Sequence, residues 1–215
     1  DFHPLRPWRH PLRLWRVGCY NLTGLPVASV IFSIILTFLV LTVGLLVTFV
    51  LAVPVAWLTF VLSRAFARFE RNRVAALAGV RIGDPVPPLV ATSWWGRVKE
   101  RVRSAPRWRE VAHHLASFPV QTFAYVATTA AWCGSLAMLV MPTYINGLPE
   151  NTAKFHFFEL HQGWGAVAAS VVGLLGVVFV APWVTIGSAR LSVTLARALL
   201  GPTSDAEHRA EVRRI

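Results

Sequence analysis

From Gly24 to Ser63 no Asp, Glu, Lys, Arg or His interrupts the chain. A bilayer core of ~30 Å is crossed by about twenty helical residues, so this run is about twice too long for one crossing at ~1.5 Å rise per residue. The pattern predicts two spans folded back on each other near Leu41-Thr42-Val43-Gly44. Span 1 covers Leu25 to Leu41. Span 2 covers Leu45 to Leu62, with a kink at Pro54. A second pair follows: span 3 between Pro119 and Pro142, and span 4 from Gly163 to Ile186. The predicted fold is an all-α membrane protein with four transmembrane helices in two hairpins.

The polar stretches between these spans set the remaining boundaries. Residues 1–23 form a cytoplasmic interfacial segment before hairpin 1 (24–63). Residues 64–117 form a basic cytoplasmic segment with amphipathic helices. Hairpin 2 (118–187) carries an outer loop at 143–162, and residues 188–215 form a cytoplasmic tail. Within 64–117, Gly79 is a helix stop, Asp84 to Pro88 is a rigid break, and Ser93 is an N-cap candidate for a helix on which Trp95, Val98 and Val102 share a face. Such a helix suits a membrane surface or a protein face.

Composition agrees with membrane insertion: 55% of residues are apolar, 14% are charged and the mean hydropathy is +0.54, well below the charged share of a soluble domain. No signal peptide is visible in the polar first 23 residues, and the lack of an initiator Met points to residues missing upstream. The formal charge of +11 suggests nucleic acid in a soluble protein. Here the cations flank apolar spans, which points to topology and to the anionic headgroups of the lipid bilayer, with no nucleic acid. Of 21 Lys and Arg residues only Lys154 lies in an outer loop. The positive-inside rule then places both termini in the cytoplasm of a multi-pass plasma-membrane protein.

Small residues recur at four-residue steps on three spans: Ser29, Ser33 and Thr37; Ala127, Ala131 and Ser135; Gly165, Ala169 and Gly173. Such stripes let helices approach closely in lipid. Trp15, Arg16, Trp94, Trp95, Arg97, Arg101, Trp108 and Arg109 read as membrane-surface anchors. Cys19 and Cys133 fall ~20 Å apart in depth by helical rise, so they are expected as packed thiols and not as a disulfide.

The halves repeat. Trp15-Arg16 is followed by Pro26, and Trp108-Arg109 by Pro119, each Pro eleven residues after its Trp. Val53-Pro54 and Ala181-Pro182 mark the second spans, and Ala76-Leu77-Ala78-Gly79 and Ala198-Leu199-Leu200-Gly201 close them. Two spans per unit make the repeats parallel, related by an axis along the membrane normal. Hairpin 1 is the stripped-down copy. Hairpin 2 carries Tyr144, Phe155, His156, Phe158, Glu159, His161 and Trp164, a loop suited to a ligand or partner.

His156, Glu159 and His161 match no established metal spacing, so no metal is assigned. His113-His114 reads as an interfacial pair, with a proton switch as the sharper alternative. No catalytic arrangement and no phosphate loop appear, so the chain is expected to have no enzyme activity and no cofactor. The spans lack carboxylates, which argues against ion-coupled transport.

Four ordered pieces carry a family resemblance: Gly24-Leu25-Pro26; Ala76-Leu77-Ala78-Gly79-Val80-Arg81-Ile82; the block from Trp95 to Arg109 with Arg97, Val98, Arg101, Val102, Arg103, Ser104, Pro106 and Trp108; and Arg197-Ala198-Leu199-Leu200-Gly201-Pro202. Together they resemble the four-span sensor domain of actinobacterial two-component histidine kinases. The resemblance implies a membrane domain that passes a signal to a cytoplasmic dimerisation helix and ATP-binding domain. It carries over no binding residues, since the ligand of that family is not defined. No phosphoacceptor motif surrounds His208, so a kinase either follows Ile215 or the domain stands alone. The alternative is a non-catalytic accessory subunit, docking through its helices and outer loop. Partners on either reading are a second copy or a larger membrane complex.

Overall fold

A computed structural model of the chain describes residues 6–48, 50–84, 93–144, 152–155, 158–161 and 164–202. Helix α1 (Pro11–Gly44) is continuous over 34 residues. Pro11 suits the first helical position, where no donor is needed, and Pro26 sits inside. The expected interfacial segment 1–23 therefore extends into the same helix as span 1. Gly44 ends α1, a 3-10 turn continues it over Leu45–Thr48, and the Leu51 N–H donates to the Thr48 carbonyl at 3.1 Å just before the next helix.

Helix α2 (Ala52–Arg73) corrects the expected kink. Pro54 lies in its first turn, where a missing N–H breaks no intrahelical bond. Helix α2 passes into a π-turn at Val74–Ala78, closed by Gly79 at φ 71, whose N–H donates to the Val74 carbonyl. That left-handed stop favours glycine. Helix α3 (Trp94–Arg103) starts after Ser93, which has extended backbone and forms no side-chain cap. Helix α4 (Ala105–Leu139) runs for 35 residues through Pro119, and α5 (Met141–Tyr144) is a single turn.

The expected outer loop contains an antiparallel pair, β1 (Thr152–Phe155) and β2 (Phe158–His161), with Lys154 in register with Glu159. Outside that short pair every described element is helical, as the all-α expectation has it. Helix α6 (Trp164–Leu175) continues through a π-turn at Gly176–Val180 into α7 (Ala181–Leu200). The described residues thus contain four helical segments long and apolar enough to cross a membrane.

By internal contact the chain divides into two compact units. In the unit formed by 1–22 and 123–189, the Asn21 side chain donates to Thr128 Oγ1 at 2.9 Å, Ser188 Oγ at 2.9 Å and the Thr185 carbonyl at 3.0 Å. Trp132 Nε1 adds a bond to Thr185 Oγ1 at 3.0 Å. Gly173 meets α4 so closely that a Cβ would clash with Leu139 N and lie 2.7 Å from the Ser135 carbonyl oxygen. In the unit formed by 23–122 and 190–215, Ile31, Ile35, Phe60 and Val111 make the apolar core. Phe32 and Phe118 stack at 4.8 Å.

Buried positions recur in register between α1 and α4. Leu14, Val17, Tyr20, Asn21, Gly24 and Ala28 are buried, as are Arg107, Glu110, His113, His114, Ser117 and Gln121. Each pair keeps the spacing of Trp15 and Trp108. Thr59, Phe60, Ser63, Ala67, Glu70 and Val74 likewise match buried Ala181, Pro182, Thr185, Ala189, Ser192 and Ala196 at the spacing of Gly79 and Gly201. Pro54 and Pro182 are not equivalent in this register, because Pro182 falls opposite Phe60.

Candidate functional site: a buried ionic cluster

Four- and three-residue steps place Glu110, His114, Ser117 and Gln121 on one side of α4, and all four are buried. Arg64 and Arg71, two turns apart, share a side of α2. Glu110 is 1% exposed. Its Oε1 accepts from Arg64 Nη1 at 2.6 Å and Arg71 Nη2 at 3.0 Å. Asp84 pairs with Arg64 and approaches Arg71 to 3.8 Å. A carboxylate this deep is tolerated because two guanidiniums offset a desolvation penalty of several kcal/mol.

One turn along, Glu70 and Arg73 form a two-point pair, with Nε–Oε2 and Nη2–Oε1 both at 2.9 Å. Arg73 also reaches Thr23 Oγ1 at 3.4 Å. His114 Nε2 lies 2.9 Å from the Ser63 carbonyl. A small cavity between these groups is lined by Glu70, Arg73, His113, Ser117 and Gln121 on its polar side and by Val27, Ala28 and Ile31 on the other.

The cluster extends to the end of α7. Arg71 Nη2 donates to the Leu200 carbonyl at 3.2 Å, and Arg109 donates to the Ala198 carbonyl. The last carbonyls of a helix lack intrahelical donors and carry partial negative charge, so two arginines there satisfy both demands. Arg71 is therefore shared between a buried carboxylate on α4 and the final turn of the last described helix.

The predicted site residues fall in varied surroundings. Ser33 and Thr37 are exposed, and Ser29 Oγ turns back on the Leu25 carbonyl at 2.8 Å. The buried side of α1 within this chain is formed by Ala28, Ile31 and Ile35. The third stripe lies at a close approach: Ala169 and Gly173 are buried and Gly165 is half-buried. Ala127, Ala131 and Ser135 are half-buried.

Trp15, Arg16, Trp95 and Arg97 are exposed. Arg101 is half-buried over the Trp57 ring, and burial, then the like charge of Arg97, lowers its pKa from the usual arginine value. Trp108 Nε1 bonds the Val102 carbonyl at 2.8 Å. Arg109, expected as an anchor, is half-buried and donates to the Ala198 carbonyl in the last turn of α7. His113 and His114, expected at an interface, are 2% and 1% exposed; packing against α1 and α2 encloses them. Tyr144 is exposed with its hydroxyl on the Ala137 carbonyl at 2.9 Å, and Trp164 is 89% exposed. His156 and the side chains of Trp94, Phe155, Phe158, Glu159 and His161 lie outside the described residues. Among the described residues no group of three or more His, Cys, Asp and Glu could hold a metal.

The ionic cluster was absent from the sequence expectations, although the Glu110-His114-Ser117-Gln121 stripe was its available signal. No curated protein and no solved structure matches the chain. A family model described as "Putative sensor" matches residues 20–200. With the match running from within α1 to the end of α7, the chain belongs to the Putative sensor family.

Proposed function

We propose that the chain is the signal-input domain of a two-component system, inserted in the plasma membrane with both termini cytoplasmic. A stimulus shifts the packing of α1, α2 and α4, and the end of α7 passes that shift to a cytoplasmic output. The observation that carries this reading is Arg71, bonded to both Glu110 and the Leu200 carbonyl. Two packings with different arrangements at Arg71 present α7 differently, and a stimulus acts through its unequal affinity for them. Family membership supports the sensor role, and the lone outer-loop cation Lys154 supports the orientation.

The chain reads as a tandem duplication of a two-span unit. The support is the shared register of buried positions in α1 and α4 and in α2 and α7. In that reading the second copy has exchanged Val17, Gly24 and Ala28 for Glu110, Ser117 and Gln121, which makes its buried side the polar one. Anionic headgroups and a second copy, or a larger membrane complex, are the partners this role implies.

The test is output from the natural full-length gene product. Glu110→Gln and Arg71→Gln are expected to change basal output by roughly five- to 150-fold, the range of coupling energies of ~1–3 kcal/mol. Unchanged output in both folded variants, with stoichiometric co-purification of another membrane protein, sinks the sensor reading in favour of an accessory subunit.

A further inference from the structure

Helix α3 packs on α2 with only part of its circumference. Val98 is buried, and the Arg101 guanidinium lies 5.6 Å from the Trp57 ring centroid, within cation–π range. The remaining side is open: Trp95 is 51% and Val102 43% exposed, and Arg97, Lys99 and Arg103 are exposed. Steps of four and three residues put Trp95, Lys99 and Val102 in one stripe. A Trp and an aliphatic residue flanked by cations match a helix lying in a bilayer interface, with its apolar groups at the acyl boundary and its charges among phosphates.

We infer that α3 docks on a bilayer surface through the phosphate-bearing headgroups of acidic phospholipids, and that this lipid charge is a stimulus the domain reads. Charge complementarity names the partner: Lys99 and, one turn on, Arg103 are exposed beside Trp95 and Val102, Arg97 adds an exposed cation further round the helix, and the acidic Glu100 is half-buried. The apolar pair Trp95 and Val102 favours a surface with an acyl layer over a soluble polyanion. A route inward is present. Trp108 donates to the Val102 carbonyl and its ring meets Phe60 edge-on at 5.2 Å. Phe60 lies one turn before Arg64, which holds Glu110. This second step rests on the proposed sensor role; the docking itself does not.

The chain has two lysines, Lys99 and Lys154, so amine acylation read by mass spectrometry reports α3 with an internal reference. The full chain is compared in nanodiscs of phosphatidylcholine alone and of phosphatidylcholine with phosphatidylglycerol. Labelling of Lys99 relative to Lys154 should fall roughly tenfold with the acidic lipid, since neighbouring basic residues add to the attraction. Added salt should reverse the effect. The double variant R97Q/R103Q should lose most of the protection while its thermal unfolding stays unchanged. Equal Lys99 labelling in the two wild-type discs overturns docking. So does protection in neutral discs by soluble glycerophosphoglycerol, RNA or an acidic peptide to the same extent. Docking with unchanged output from the full-length protein keeps the lipid site and removes its role as a stimulus.

Discussion

The ring of His114 donates to the carbonyl of Ser63 across 2.9 Å, since a carbonyl only accepts and Nε2 must carry the proton. Asn21 and Thr185 make the same kind of bond at 3.0 Å. Asn21 precedes His114 by the spacing of Trp15 and Trp108, and Ser63 precedes Thr185 by that of Gly79 and Gly201. A first-helix polar side chain thus holds a second-helix carbonyl in both places, with Asn in one and His in the other.

That equivalence predicts what His114 tolerates. His114→Asn should keep most of the stability, because Asn already serves at position 21. His114→Leu should cost about 0.5–1.5 kcal/mol, the net worth of one hydrogen bond. Chemical denaturation in detergent measures both, and equal losses would show that Asn cannot substitute.

The carboxylates of the ionic cluster should differ sharply. Glu110→Ala leaves Arg64 and Arg71 without their shared buried partner and should cost about 3–5 kcal/mol. Asp84 is 44% exposed, so Asp84→Ala should cost at most ~1 kcal/mol. Thermal unfolding of the two variants checks the order. A larger loss from Asp84→Ala would place the weight of the cluster at its solvent edge.

Much of the fold is legible in the sequence because charge-free runs leave little alternative to long helices. Gly79 announces its stop because few other residues adopt φ 71 easily. The cluster was hidden by its own composition. Arg64, Arg71 and Arg73 sit in a segment rich in arginine, and a basic run reads as solvated unless each cation is matched to a distant acid. Glu110 lies far along the chain from Arg64, so only the helical stripe from Glu110 to Gln121 hints at burial. The β1–β2 pair was equally hidden, since its connection at His156-Phe157 lacks the Gly, Asn or Asp that marks a tight turn.

Glycines on the α4 and α6 surfaces should respond in opposite ways. A Cβ on Gly173 would overlap Leu139 N and approach the Ser135 carbonyl oxygen to 2.7 Å. Backbone cannot yield as a side chain does, so Gly173→Ala should cost about 1–3 kcal/mol through overpacking. A methyl group added at Gly134 would find nothing within 4 Å, and Gly134→Ala should stabilise α4 by roughly 0.5–1 kcal/mol. Unfolding midpoints of the pair decide it.

Trp8 and Pro182 should prove energetically coupled. Pro182 has no N–H, and its ring crowds the carbonyl four residues back, that of Val178. The π-turn at Gly176–Val180 lies over this point, and Trp8 Nε1 donates to the Val178 carbonyl at 2.7 Å. The indole ring also meets Trp132 edge-on at 6.5 Å, so Trp8→Phe keeps an aromatic there while removing the donor. That change should cost about 0.5–1.5 kcal/mol in the natural sequence. In a Pro182→Ala background the residue-182 N–H can take the same carbonyl, and the cost of Trp8→Phe should fall. A double-mutant cycle should therefore give an interaction energy of at least ~0.5 kcal/mol. Strict additivity would show that the indole binds Val178 for reasons unrelated to the proline.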